Sequence, residues 1–326
     1  MGAPARTCLA VSAIVAAALA APPAHSQIAC PGQTIRFIVP YAPGGLPDTV
    51  ARVVGQRLQE RIGQSIVVEN RPGANGSVAA ASLAGSPADG CTLLVTDGSI
   101  LSINPRLYSK LSYNPNRDFV PVALLARGPL FLALHTKVPV ATLKEFIDHV
   151  KARPGQMTYG SSGVGSTHHL SMEAVKAALK LEMTHVPFKG TGQSVPALLG
   201  GHVDVLFSAY PSLSGAVASN SVKLIATNGA QRSPQAPNLP PLADVIPGFD
   251  FAPIIGILGP AGMPSPLIQK LAAEAVAAVG EPEIARKLMA VGIEPAAAGP
   301  DEFARVLRSE VERVAQTVDA AGLKPE

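Results

Sequence analysis

Two short turns constrain this chain more than any other feature. One is Pro40-Tyr41-Ala42-Pro43-Gly44-Gly45-Leu46-Pro47-Asp48, and the other is Gly160-Ser161-Ser162-Gly163-Val164-Gly165-Ser166-Thr167-His168. Each follows an apolar run that reads as a strand, residues 35–39 and 157–159, and each precedes a stretch with helical periodicity. Glycine lets backbone approach a ligand closely, and the first N–H groups of a helix lack partners and sit at the positive end of its dipole. Such a helix end is a ready anion site. With two of them roughly 120 residues apart, the economical reading is two lobes that each present one helix end to a shared anionic ligand. Candidate contacts in the first turn are Tyr41, Pro43, Gly44, Gly45 and Asp48. Those in the second are Ser161, Ser162, Gly163, Gly165, Ser166 and His168. Asp48 also suits a helix-start residue that orders its loop, and Ser166 or Thr167 suits a helix cap.

A chain of 326 residues is long enough for roughly two domains. Apolar residues make up 47% of it but aromatic ones only 4%, and there is no Trp. The core must therefore come from Ala, Val, Leu and Ile, which suits stacked α/β layers. Residues 1–26 read as a cleaved secretory signal: Arg6, an apolar run over 8–21 too short to span a bilayer, and small residues Ala24 and Ser26 before the cut. The remainder keeps Cys30 and Cys91 in an oxidising compartment. Both precede strands, so if those strands are parallel neighbours a disulfide is expected; two free thiols are the alternative. The formal charge is +3 with no basic arm, which gives no reason to expect nucleic acid.

The order of elements supports the two-lobe reading. Leu46, Val50, Val53, Val54, Leu58 and Ile62 recur at spacings of three and four, one apolar face of a helix that Gly63 ends. A strand over 65–69, a short helix over 77–83 and a strand ending at Thr96 complete βαβαβ, which requires a parallel sheet. Residues 114–121 read as irregular and 122–125 as a short apolar run, with the first crossing between lobes near Ala126. Strands over 131–135, 184–186, 203–207 and 223–227 alternate with helices over 142–151, 167–179, 193–199 and 213–218, again doubly wound. The proline-rich stretch 233–241 is loop, residues 251–258 form the strand returning to the first lobe, and three helices close the chain over 266–279, 283–290 and 300–320. The expected division is lobe 1 over 27–125 plus 249–326 and lobe 2 over 126–248, with two strands acting as a hinge.

An ordered series of motifs resembles the Bug family, the extracytoplasmic solute receptors of the tripartite tricarboxylate transporter class. It comprises Ile38-Val39-Pro40-Tyr41 with Pro43-Gly44-Gly45 and Asp48, then Val68-Glu69-Asn70-Arg71-Pro72-Gly73 and Pro87-Ala88-Asp89-Gly90. Next come Asp118-Phe119-Val120-Pro121-Val122, the second glycine turn with His169-Leu170, and His185-Val186-Pro187-Phe188-Lys189-Gly190. Leu199-Gly200-Gly201-His202-Val203-Asp204 and Gly259-Pro260-Ala261-Gly262 complete it. The resemblance implies an α/β, two-lobed type II periplasmic binding fold. Such a fold closes on a small carboxylate held by main-chain amides, and its location is the periplasm. It adds Thr191 and Ser208 to the candidate contacts, and its partners would be the ligand and membrane transporter subunits, with the receptor itself a monomer. Three positions depart from the family's habit. Ser208 stands where Asp is common, which argues against an amino-acid ligand because an ammonium group would want that carboxylate. Ile254 stands near a frequent Trp, and Cys91 replaces a Tyr.

Other chemistry finds less support. His168 and His169 are adjacent and point about 100° apart on a helix, so they cannot chelate together, and neither a metal nor a cofactor is expected. Ser162 with His168 would be a nucleophile and base, but Val164 breaks the Gly-x-Ser-x-Gly elbow. Gly163-Val164-Gly165 likewise lacks the third glycine of a dinucleotide fingerprint, since His168 stands there. The chain is therefore read as a receptor and not an enzyme. A sensor for a membrane kinase is the alternative, and a secreted hydrolase the remote one.

Overall fold

The computed structural model describes Cys30 and residues 34–324, so the signal segment expected over 1–26 lies outside the described residues. β1 (Ile35–Val39) runs through the first glycine turn into α1 (Leu46–Ile62). This helix starts where it does because Gly45 is extended and Pro47 pre-sets its first turn. It stops at Gly63, whose φ of 65° is left-handed. β2 (Ile66–Asn70), α2 (Ser77–Ala84) and β3 (Thr92–Asp97) complete the unit, and β1 pairs in parallel with both β2 and β3. Two short helices follow, α3 (Ser99–Ser102) and α4 (Asn104–Leu107), then β4 (Phe119–Arg127).

The chain then crosses at Gly128-Pro129 into a second sheet. Its elements are β5 (Leu130–His135), α5 (Leu143–Ala152), β6 (Thr158–Ser161), α6 (Thr167–Leu179), β7 (Thr184–Pro187), α7 (Thr191–Leu199), β8 (Val205–Ala209), α8 (Tyr210–Ala218) and β9 (Val222–Thr227). It returns to the first sheet as β10 (Ile254–Pro260) and ends with α9 (Ser265–Gly280), α10 (Pro282–Met289), β11 (Glu294–Ala298) and α11 (Pro300–Ala320). The strand orders are β11-β4-β10-β3-β1-β2 and β7-β6-β8-β5-β9.

In the first sheet β2, β1, β3 and β4 run one way while β10 and β11 run the other. In the second only β5 is reversed. The two strands that arrive from the opposite sheet, β5 and β10, are among the reversed ones. Both faces of the first sheet are covered: Phe37 and Val39 pack towards Val54 and Leu58 of α1 and Leu271 of α9, while Ile38 packs towards Leu83 of α2 and Phe303 of α11.

Several elements differ from expectation. β4 begins at Phe119, inside the stretch read as irregular, and β11 and the pair α3 and α4 were not expected. β4 lies between β10 and β11 and is antiparallel to both. Pro121, which hides the strand in the sequence, sits at a register irregularity opposite Leu258, where a missing donor is tolerated. β6 extends to Ser161, so this residue belongs to a strand end and not to the turn. Cys30 and Cys91 form a disulfide with Cα atoms 5.3 Å apart.

Candidate ligand-binding cleft

A cavity of about 540 Å³ lies between the two sheets, lined by residues from both. It sits beyond the carboxyl ends of β1, β3, β6 and β8, where open α/β sheets bind ligands.

Four helix N-termini meet it. α1 contributes Gly45, Leu46 and Pro47; α6 contributes Ser166, Thr167 and His168; α7 contributes Gly190 and Thr191; α8 contributes Ala209 and Ser212. The caps of α1, α7 and α8 are Gly45, Gly190 and Ala209, none of which places a side chain on the helix's first amides. In α6 the Ser166 hydroxyl accepts from the His169 N–H at 3.2 Å, and helix geometry still leaves the Thr167 and His168 amides without an intrahelical acceptor. The sequence pointed to two of these ends, and the fold brings four to one space.

The first turn is organised by Asp48. Its carboxylate accepts from the Gly44 N–H at 2.9 Å, from Arg52 Nε at 3.1 Å and from Asn70 Nδ2 at 2.9 Å, and the residue is 3% exposed. Burial pushes this carboxyl up, but the bonds from Arg52, Gly44 and Asn70 outweigh it and hold it below its ordinary value. Asp48 therefore orders its loop and does not line the cavity. For the same reason the Gly44 amide is already occupied, and Pro43 and Gly44 face outwards. Gly44 has a φ of +82°, so the turn requires glycine. Tyr41 does line the cavity, and its hydroxyl bonds Asp97 Oδ1 and Ser99 Oγ, each at 2.8 Å.

The second turn is braced from beneath. Ser161 is buried and off the cavity wall, with its hydroxyl 2.7 Å from His185 Nε2 and 3.1 Å from the Gly163 carbonyl, so it supports the turn. His169 Nδ1 accepts from the Gly165 N–H at 3.2 Å, and the His169 and His185 rings stack 4.1 Å apart. Gly163 and Gly165 shape the turn with φ of +126° and +72° but do not line the cavity. Gly165 instead faces the other lobe, where its carbonyl accepts from Asn75 Nδ2 at 2.8 Å. Nearby, the Tyr108 hydroxyl donates to the Val164 carbonyl at 3.2 Å.

Ser162, Ser166, His168 and Thr191 line the cavity as expected residues. Ser162 Oγ lies 2.7 Å from His168 Nδ1, and burial pushes this histidine down to about 4, so the imidazole is neutral at ordinary pH. Asp97, the carboxylate in the cavity wall, bonds Tyr41 and Ser99, has the Thr167 hydroxyl only at 3.4 Å, and does not orient His168 as a triad acid would. Ser208 is fully buried in β8, off the cavity, and its hydroxyl has no hydrogen-bond partner among the described residues. Its neighbour Ala209 holds the lining position, because consecutive strand residues point to opposite faces.

Asp97, Asn75 and Pro253 also line the cavity and were not expected there. Asp97 closes β3 just before Gly98, and the rule that ligands lie at strand carboxyl ends was the signal available for it.

Two mixed sheets, in each of which four strands run the same way, are flanked by helices with a cleft of helix ends between them, and this defines a two-lobed solute-binding protein. Comparison with known proteins places it further. Residues 50–323 match the model of the tripartite tricarboxylate transporter family receptor, and the chain belongs to that family. It is 32% identical to protein BugT of Bordetella pertussis over 313 residues, which covers 95% of each chain. Among solved structures, R. palustris Rpa4515 with adipate superposes with a TM-score of 0.86 at 32% identity, covering 91% of this chain and 99% of that one. MatC from Rhodopseudomonas palustris with bound malate gives 0.80 at 31% identity, covering 89% and 100%. The chain is a solute-binding receptor and not an enzyme.

Proposed function

We propose that this receptor traps a small organic carboxylate between its lobes and delivers it to a tripartite transporter in the membrane. The observation that carries the reading is the convergence of four helix N-termini on one cavity, three of them without a side-chain cap. Four or five charge-assisted hydrogen bonds, each contributing about 1.5–3 kcal/mol, total about 6–15 kcal/mol; the upper part of that range covers the roughly 8 kcal/mol of micromolar binding together with immobilisation and closure. No side-chain cation is required, although Lys189 lies at the cavity wall. The adipate and malate carried by two related structures agree with this class of ligand.

The same proposal has residues 1–26 as a cleaved signal and the periplasm as the location. It has lobe 1 over 27–125 plus 249–326, lobe 2 over 126–248, and a monomeric receptor. Thermal-shift screening of refolded protein against mono-, di- and tricarboxylates, aromatic acids and neutral solutes tests the ligand class. An acid at 100 times its dissociation constant adds about 2.7 kcal/mol, a shift of a few degrees. Stabilisation by neutral solutes with none from any acid rejects the reading. Deletion of the gene separates roles: lost uptake supports transport, and lost gene induction with intact uptake supports a sensor.

A further inference from the structure

The carboxylate of Asp97 stands in the wall of a cavity that otherwise favours anions. Its Oδ1 is well supplied: the Tyr41 hydroxyl at 2.8 Å, the Ser99 hydroxyl at 2.6 Å and the Ser99 N–H at 3.2 Å. Its Oδ2 has the Thr167 hydroxyl at 3.4 Å, well beyond the usual O–H···O range of about 2.5–3.0 Å. A carboxylate oxygen in this state has acceptor capacity to spare.

Thr167 opens α6, one of the four helix ends. An acid held on the α6 amides therefore lies beside Asp97. An unsubstituted acid would bring two carboxylates together in a sheltered cleft, where like charges are costly. A donor on the carbon next to the ligand carboxylate removes the conflict, because it reaches Oδ2 while the carboxylate stays on the helix end.

We propose that Asp97 is a specificity-determining residue that selects carboxylates bearing a hydrogen-bond donor, a hydroxyl or an ammonium group, on carbon 2. The proposal rests on the carboxylate reading above and narrows it. It also relocates a role: the position at Ser208, where an acidic partner for an ammonium group was looked for, is buried away from the cavity, whereas Asp97 supplies a carboxylate inside it. Burial raises the Asp97 carboxyl and the bonds from Ser99 and Tyr41 only partly counter it, so its ionised form gains from a further donor.

The test is calorimetric titration of refolded wild-type protein with sets matched except at carbon 2: succinate, malate and aspartate; phenylacetate, mandelate and phenylglycine. In the set that binds, the hydroxy or amino member is expected to bind roughly 10- to 100-fold more tightly than the unsubstituted acid. Asp97→Asn keeps the shape and removes the charge, and is expected to shrink that margin to about threefold or less by weakening the substituted acid. The rank of the hydroxy and amino members identifies the donor, and either rank supports the proposal. An unsubstituted acid that binds as tightly as its partners, or a margin unchanged by Asp97→Asn, overturns the proposal and leaves the carboxylate reading standing. Binding of no acid in these sets or in the wider screen overturns both. The wild-type comparison needs no variant, so a poorly folded Asp97→Asn protein would not remove the test.

Discussion

Asp48 illustrates how a residue in a ligand-like motif can serve the turn instead of the ligand. It joins the Gly44 amide, Arg52 and Asn70, and so fastens the turn, the helix and β2 together. Asp48→Ala removes the buried carboxylate that joins the Gly44 amide, Arg52 and Asn70 and is expected to cost about 1–3 kcal/mol, read by urea denaturation, and to weaken ligand binding through the loosened turn. The histidines in and beneath the second turn give a pH dependence. Burial lowers His185 and His168 from 6.5 to about 4, and it lowers His169 as well. The unfolded chain then takes up protons first as pH falls, so the stability of the neutral rings is present above about 6.5 and lost towards about 4. The thermal midpoint of ligand-free protein is expected to fall across that window, with a shallower fall in His185→Gln. The residues of the glycine turns were legible because their signals are local, while Asp97 was not. Its partners Tyr41 and Thr167 are 56 and 70 positions away. Ser208 lies buried off the cavity, and a resemblance gives a position but not the face of the strand.

Among the elements, those with their own periodicity and stop signals were readable: α1 with Gly63, α6, α11 and the first βαβαβ unit. Thr142 caps α5 as its pattern suggested, accepting from the Glu145 N–H at 3.2 Å, but the Glu145 carboxylate reaches the Ala141 N–H, one residue short of a closed capping box. β4 and β11 were hidden because antiparallel pairing between distant segments makes them strands, whatever their local composition. β10 fits between β4 and α11 only through Gly256. A Cβ there would lie 2.2 Å from Phe303 Cζ and 2.7 Å from the Ala123 carbonyl oxygen. Gly256→Ala is therefore expected to destabilise by about 1–3 kcal/mol or more, measured as a lower denaturation midpoint. An unchanged midpoint would mean that α11 packs more loosely than this contact implies.

At the scale of the whole molecule, two features hold the clamp. The Cys30–Cys91 disulfide ties the start of β1 to the start of β3 across a separation of 61 residues. Its double replacement by alanine is expected to lose about 2–4 kcal/mol, with the wild-type protein falling to match when reductant is added. The second feature is the contact between lobes at the cleft, where Asn75 reaches Gly165, Tyr108 reaches Val164, and Leu107 packs with Leu170 and Val314. Nothing in local sequence announces these contacts, yet they set the distance between the helix ends that face each other. The most direct test of the clamp is calorimetry of the refolded protein with one stabilising acid and with its primary amide. The helix ends favour charge, so the acid is expected to bind in the micromolar range, about 8 kcal/mol, and the amide roughly 100-fold more weakly. An amide that binds as tightly as its acid would show that shape, and not the anion, is what the four helix ends recognise.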